Sequence, residues 1–330
     1  MIKILIVQTP FYDYSSSTII EGLHCLKQKG EDIEFYCVEN SNYAVFTEQS
    51  KDDPEKMIAY NYKCTEDFAR SFGKYSADLI ITTSNTSVRK DIVEYIARRD
   101  KTIFIDGEDK WENKNLPTEF PLYFKREMRR DIEHPPNVRP FPFGAERRYF
   151  RYKGDWSQKR FTVSCMFGPN DKYKTFRVPI EQRLKDMKIE NSVIGTLYGG
   201  GAVSSVNTGN RDHKHFYDVL AASKVSVDAH GAYECTTGRM WEALANCCCL
   251  LIRKPLIYFP ETFMNGIHWF EYETEDGLEL LVRIMLDPNN EEMIVRKTAE
   301  ESFKHLLKYH TTEVRAKYLL DCCREEGLIK

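Results

Sequence analysis

Two successive series of short apolar runs, each alternating with stretches of helical periodicity, constrain this chain more than any other feature. In the first series, residues 2–7, 33–38, 78–82 and 102–105 read as buried strands. Between them, residues 18–29 place Ile19, Leu23 and Leu26 on one helical face and stop at Gly30, and residues 88–99 turn Val88, Ile92, Tyr95 and Ile96 inward. Apolar strands that alternate with helices call for a parallel sheet with right-handed crossovers, hence an open, doubly wound α/β layer. Residues 133–144 break the rhythm with Pro135, Pro136, Pro140 and Pro142, which stop helices and do not suit a central strand. They read as the end of one domain and the start of a crossover linker.

The alternation then restarts. Strands are expected at 161–167, 192–194, 225–228, 248–252 and 268–272, and helices at 176–187, 215–222 and 239–245, with closing helices at 275–286, 291–307 and 312–323. A chain of 330 residues exceeds what one core usually holds. The expectation is therefore two Rossmann-like doubly wound domains facing across a cleft: residues 1–145, residues 146–310, and a C-terminal helix over 311–330 that can cross back to the first domain. Ligands of such sheets bind outside the carboxyl ends of the strands.

The formal net charge of -3 argues against strong nonspecific attraction to nucleic acid. The 10 cysteines show no disulfide spacing, and Cys247, Cys248 and Cys249 sit in an apolar run, so they read as small buried hydrophobes in a reducing cytoplasm. The apolar start at residues 2–7 is too short to span a bilayer, and no stretch reaches transmembrane length. Any membrane association is expected to be peripheral, at the inner face.

The richest motif runs from Thr236 to Leu244. Thr237 and Gly238 lie where a loop becomes a helix, an end that presents free N–H groups and positive partial charge suited to a diphosphate. Arg239 adds charge-assisted hydrogen bonds, and Glu242, one turn on, is placed to accept the hydroxyl protons of a ribose. A capped helix with an Arg239–Glu242 surface ion pair fits the same spacing. A second cluster follows the strand at 161–167. Gly168 makes a turn, and Lys172, Lys174 and Arg177 bring positive charge to a helix N-terminus, which is unfavourable there unless an anion is present. Asp106, Glu108 and Asp109 follow a strand of the first domain. Asp106 and Glu108 are candidate bases for an acceptor hydroxyl, although Asp106 also suits a bond to its own backbone turn.

Asp13, in the loop after the first strand, is a further candidate base, while Ser15 or Ser16 suits a helix cap. His230 ends the strand before the Arg-Glu motif, where it suits either a donor contact or a structural bond. His213 and His215 lack a third ligand nearby, so no metal is expected. The basic run Lys125, Arg126, Arg129 and Arg130 reads most simply as a solvated helix face; its other reading is a set of cations for a diphosphate or an anionic acceptor.

The segment TTGRMWEALANCCCLLI resembles the donor-site segment of GT-B glycosyltransferases. It is most similar to their CgeB-like, spore-maturation branch, whose pattern is Arg-x-x-Glu-Ala-Leu-Ala, a small residue and an apolar strand. The flanking HKHFYDVLAASKVSVDAHG and the region from PETFMNG onward resemble that branch too, so the likeness covers residues 161–323 well and the first half in outline. YFKRE and DGEDKW resemble segments of its N-terminal domain. Asn246-Cys247 departs from the Cys-Gly common in the family. The resemblance implies that Glu242 binds the donor ribose and the Arg239 region its diphosphate. It also implies a metal-independent hexosyltransferase with no cofactor and a nucleotide-sugar donor, a UDP-sugar first.

The expected reaction moves a sugar from a nucleoside diphosphate to a hydroxyl of a glycan, a lipid-linked glycan or a protein. The alternative is a phage-type DNA glucosyltransferase acting on a hydroxymethylated base, which needs a basic groove and access to a flipped base. A non-catalytic member of the same fold is a third reading. A dinucleotide oxidoreductase is disfavoured, because no Gly-x-Gly-x-x-Gly follows a strand.

Overall fold

The computed structural model describes residues 1–7, 14–38, 45–49, 57–84, 96–109, 119–167, 174–195, 214–231 and 234–330. They form two compact units, one of residues 1–144 with 312–330, the other of residues 145–311. No helix among the described residues is long and apolar enough to cross a membrane.

The first unit opens with β1 (Ile2–Val7), α1 (Tyr14–Gln28) and β2 (Ile33–Val38). An antiparallel hairpin of β3 (Val45–Gln49) and β4 (Met57–Asn61) follows, then β5 (Lys63–Cys64), α2 (Glu66–Tyr75) and β6 (Leu79–Ser84). The last strands are β7 (Thr102–Asp106), β8 (Tyr123–Lys125) and β9 (Val138–Pro140). The seven-stranded parallel sheet has the order β5-β2-β1-β6-β7-β8-β9. Its order reverses between β1 and β6, the crevice position of a doubly wound sheet. Ile4, Ile6, Ile81, Ile103 and Ile105 are fully buried, which is why these strands read as unbroken apolar runs.

Two expectations change here. Residues 133–144 do more than end the domain, because β9 lies within them and pairs Lys125 with Pro140. Proline is tolerated there because β9 is the edge strand, with no further ladder to feed. The segment from Tyr123 is not a solvated helix face either: Lys125 ends β8 and is fully buried, and Arg126 and Glu127 are buried beside it.

The second unit contains β10 (Phe161–Cys165), α3 (Lys174–Asp186), β11 (Val193–Ile194), α4 (Lys214–Ala221), β12 (Ser223–Asp228) and α5 (Gly238–Ala245). It continues with β13 (Cys249–Arg253), β14 (Phe270–Tyr272), α6 (Glu275–Leu286) and α7 (Lys297–Tyr309). Its parallel sheet has the order β11-β10-β12-β13-β14, so the order reverses between β10 and β12. The residues at the carboxyl ends of those two strands occupy the position where such sheets take their ligands. Finally α8 (Thr312–Glu325) returns to the first unit and packs along α1, placing Ala316, Leu319, Leu320, Cys322 and Cys323 in its core. All ten cysteines are free thiols, and only Cys64 is not fully buried.

Candidate functional site

At the switch point of the second sheet, β10 leads through Met166 to Phe167, and β12 ends on Asp228. Both of these residues are buried. The Arg239 guanidinium lies 5.3 Å from the centre of the Phe167 ring, and that of Arg177 lies 5.7 Å from the same ring. Two cations therefore share one aromatic ring at the strand ends. Arg239 also lines a small cavity with Met166, Phe216, Leu220, Ser226 and Val227.

The start of α5 has the chemistry of an anion site. Thr237 has the extended backbone of an N-cap residue, yet its side chain makes no cap bond to the helix. The hydroxyl donates instead to Asp228 Oδ2 at 2.5 Å. Elsewhere Thr65 caps α2 and Thr274 caps α6 with side-chain oxygens in the ordinary way. The first amides of α5 are thus left without a side-chain acceptor, and they carry the positive end of the helix dipole. A Cβ at Gly238 would meet no atom within 4 Å, so this end of the helix is approachable.

Arg239 does not pair with Glu242 as a surface ion pair. Its Nε donates to Asp228 Oδ1 at 3.1 Å, with the Asp228 side chain only 3% exposed. Its Nη2 is buried with no hydrogen-bond partner among the described residues. Glu242 lies one turn along α5, partly buried. Burial raises its pKa to about 7, opposed by Arg239 and Arg148 and assisted by Glu146 and Asp228. Glu146 accepts from Arg148 Nε at 2.6 Å, and Arg148 lies over the ring of buried Tyr149. This segment is held to α5 by Asn246, whose amide donates to the carbonyls of Tyr149 and Glu242 and accepts from the amides of Arg151 and Tyr152. Asn246 is therefore a clamp with every bond of its side-chain amide made.

Of the other expected donor residues, His230 is buried at the end of β12, with Nε2 3.1 Å from the Lys254 carbonyl and Nδ1 unpartnered among the described residues. Burial, and then Arg253, lower its pKa, so the ring is neutral. Lys174 is the first residue of α3, while Gly168 and Lys172 lie outside the described residues. Sequence reasoning missed Asp228, Phe167 and the Glu146–Tyr149 segment. The only local sign of Asp228 is a carboxylate closing an otherwise apolar strand.

In the first unit, the expected base Asp106 is held as a structural anchor would be. It ends β7 buried, its Oδ2 accepts from Lys125 Nζ and from the Tyr123 hydroxyl at 2.8 Å each, and its Oδ1 accepts from the Glu108 amide. Those three bonds already occupy both of its oxygens. Asp109 is likewise held, 2.5 Å from Arg126. Glu108 is partly buried on the same turn, and Asp13 lies outside the described residues.

A family model described as glycosyl transferase-like matches residues 177–321, the stretch that carries α5 and most of the second sheet. The chain is similar over 99% of its length, and 98% of the other's, to a glycosyltransferase from Rickettsia africae, with a TM-score of 0.63 at 11% identity. This is a GT-B fold. The chain also resembles Anabaena HepE, solved with UDP and glucose, with a TM-score of 0.54, 10% identity and coverage of 98% of this chain and 100% of that one. An alpha-glucosyltransferase solved with UDP and a 13-mer DNA matches with a TM-score of 0.56 at 12% identity, covering 97% of this chain and 99% of that one. No curated protein matches by sequence. The GT-B chain thus carries a glycosyl transferase-like domain, and it is an enzyme of the glycosyltransferase type.

Proposed function

We propose that the chain transfers a sugar from a nucleoside-diphosphate donor, a UDP-sugar first, to a hydroxyl of a glycan, a lipid-linked glycan or a protein. The observation that carries this reading is the uncapped N-terminus of α5 beside Arg239, at the switch point of the second sheet. Two of the similar structures were solved with UDP, which supports the choice of donor. As the glycosidic bond breaks, negative charge grows on the leaving diphosphate. Preorganised N–H groups and a guanidinium stabilise that charge most in the transition state. Arg239 and the amides of Thr237 and Gly238 take this role, with Arg177 adding positive charge and His230 facing the donor as a neutral ring. Ionised Glu242 accepts from the ribose hydroxyls. The Gly168 turn with Lys172 and Lys174 is assigned to the same diphosphate, and no metal or cofactor is invoked. For the acceptor, Glu108 and Asp13 are the candidate bases. The CgeB-like branch is the closer placing we favour, on the Arg-x-x-Glu-Ala-Leu-Ala pattern. Ten free thiols suit a reducing cytoplasm, with at most peripheral attachment to the membrane's inner face.

The test is a thermal-shift screen against UDP, GDP, TDP and CMP sugars, followed by donor hydrolysis. A ligand that binds only the native state raises the midpoint. A UDP-sugar is expected to give the largest shift, and no shift with any nucleotide sugar overturns the reading. The DNA-glucosylating alternative is kept because one similar structure holds DNA. Its mark is DNA binding that weakens steeply with salt; the net charge of -3 runs against it.

A further inference from the structure

We infer that Asp228 is a positioning residue that builds the donor-phosphate site, an inference that rests on the donor reading above. Three bonds converge on this one buried residue. Oδ2 takes the Thr237 hydroxyl, Oδ1 takes Arg239 Nε, and its main-chain carbonyl takes the Tyr272 hydroxyl at 2.7 Å. The first bond draws the Thr237 hydroxyl away from the end of α5, so amides that a threonine would ordinarily cap stay available to an anion. The second fixes the arginine by its inner nitrogen, so the outer edge of the guanidinium remains free to donate. Nη2 is the atom on that edge with no partner among the described residues. The third ties the end of β12 to β14, the far strand of the same sheet, so the carboxylate does not drift.

A carboxylate close to a diphosphate would ordinarily repel it. Here its charge is opposed by Arg239, whose Nε it holds at 3.1 Å. In exchange, an arginine with many rotamers is held before the donor arrives. Asp228 touches no donor atom in this account. It acts through Thr237 and Arg239.

The experiment is a cycle of Asp228→Asn, Arg239→Ala and the double variant, read by UDP-glucose hydrolysis and UDP affinity, with free guanidinium added back. Asp228→Asn is expected to lower kcat/KM by about tenfold or more, and the double variant to be no worse than Arg239→Ala alone, because coupled residues are non-additive. Guanidinium is expected to restore turnover to Arg239→Ala only while the Asp228 carboxylate is present to seat it, a response that a purely structural aspartate would not produce. Losses that multiply, or equal rescue with and without Asp228, overturn the inference. If Asp228→Asn does not fold, Asp228→Ser carries the same readouts. A wild-type chain that takes no nucleotide sugar is a separate outcome, which overturns the donor reading and this inference with it.

Discussion

Glu242 is where burial and ligand chemistry meet most directly. Its pKa of about 7 lies above the ordinary carboxylate value of 4.5, chiefly through burial. In its proposed ribose role the ionised form is the stronger acceptor, so UDP-glucose affinity is expected to weaken about tenfold from pH 8 to pH 6, following the ionised fraction. Glu242→Gln should abolish that slope; calorimetric titration at several pH values checks it. The sign for stability is the opposite. The unfolded carboxyl ionises from about pH 4.5 upward while the folded one resists until about 7, so the stability present below 4.5 is lost as pH rises through 7. Glu242→Gln is thus expected to raise the melting temperature at pH 8 and to leave it unchanged at pH 4. The Asp106–Lys125 pair works differently, because neither partner is exposed. Lys125→Met should cost about 3–5 kcal/mol by leaving a buried carboxylate unpaired, while Asp106→Leu with Lys125→Met recovers much of it, as urea unfolding would show. Arg239 and Glu242 stand out as candidates in the sequence because a helix start and a one-turn spacing are local patterns. Asp228 does not, because its partners lie 9 and 11 residues ahead and meet it only when β12 and α5 pack.

The same distinction between local and distant information holds for elements. Strands β1, β2, β6 and β7 stand out as apolar runs because both faces of a parallel sheet are buried. Strands β8 and β9 are three residues each and hold Lys125, Arg139 and Pro140, so no periodicity marks them. Their place comes from pairing with β7, a tertiary fact. Helix α2 was overlooked although its signals are local: Thr65 caps it, and Ala69 and Phe72 face inward. The packing of α1 against α8 depends on one glycine. A Cβ at Gly22 would lie 2.2 Å from the Thr312 carbonyl oxygen and 2.6 Å from the Ala316 Cβ, and backbone cannot yield as a flexible side chain can. Gly22→Ala is expected to destabilise the first unit by about 1–3 kcal/mol through overpacking, visible as a lower unfolding midpoint. It should leave nucleotide binding by residues 145–311 untouched.

At the scale of the whole molecule, the chain's order and its division into units do not coincide. The first unit is completed by the last helix, after the second unit has been inserted between them. The return is energetically substantial. Leu319, Leu320 and Ile329 are buried in the first unit's core, and at roughly 2 kcal/mol each they amount to about 6 kcal/mol. That is comparable with the total stability of a typical domain, about 5–15 kcal/mol. A chain ending at Thr311 should therefore lose the folded first unit and expose the α1 face that Gly22 keeps smooth. The residues proposed for the donor, Phe167, Arg177, Asp228, Arg239 and Glu242, all belong to the other unit, whose core holds Val163, Val225, Val227, Cys249 and Leu251 without help from α8. UDP binding is expected to survive the truncation within a few-fold while acceptor-dependent transfer is lost. Hydrogen exchange would show the protection of β1, β2 and β6 collapsing as that of β10, β12 and β13 persists. Equal loss of protection in both sets would mean that the second unit needs the first in order to fold, and that α8 supports the donor site as well as the sheet it covers.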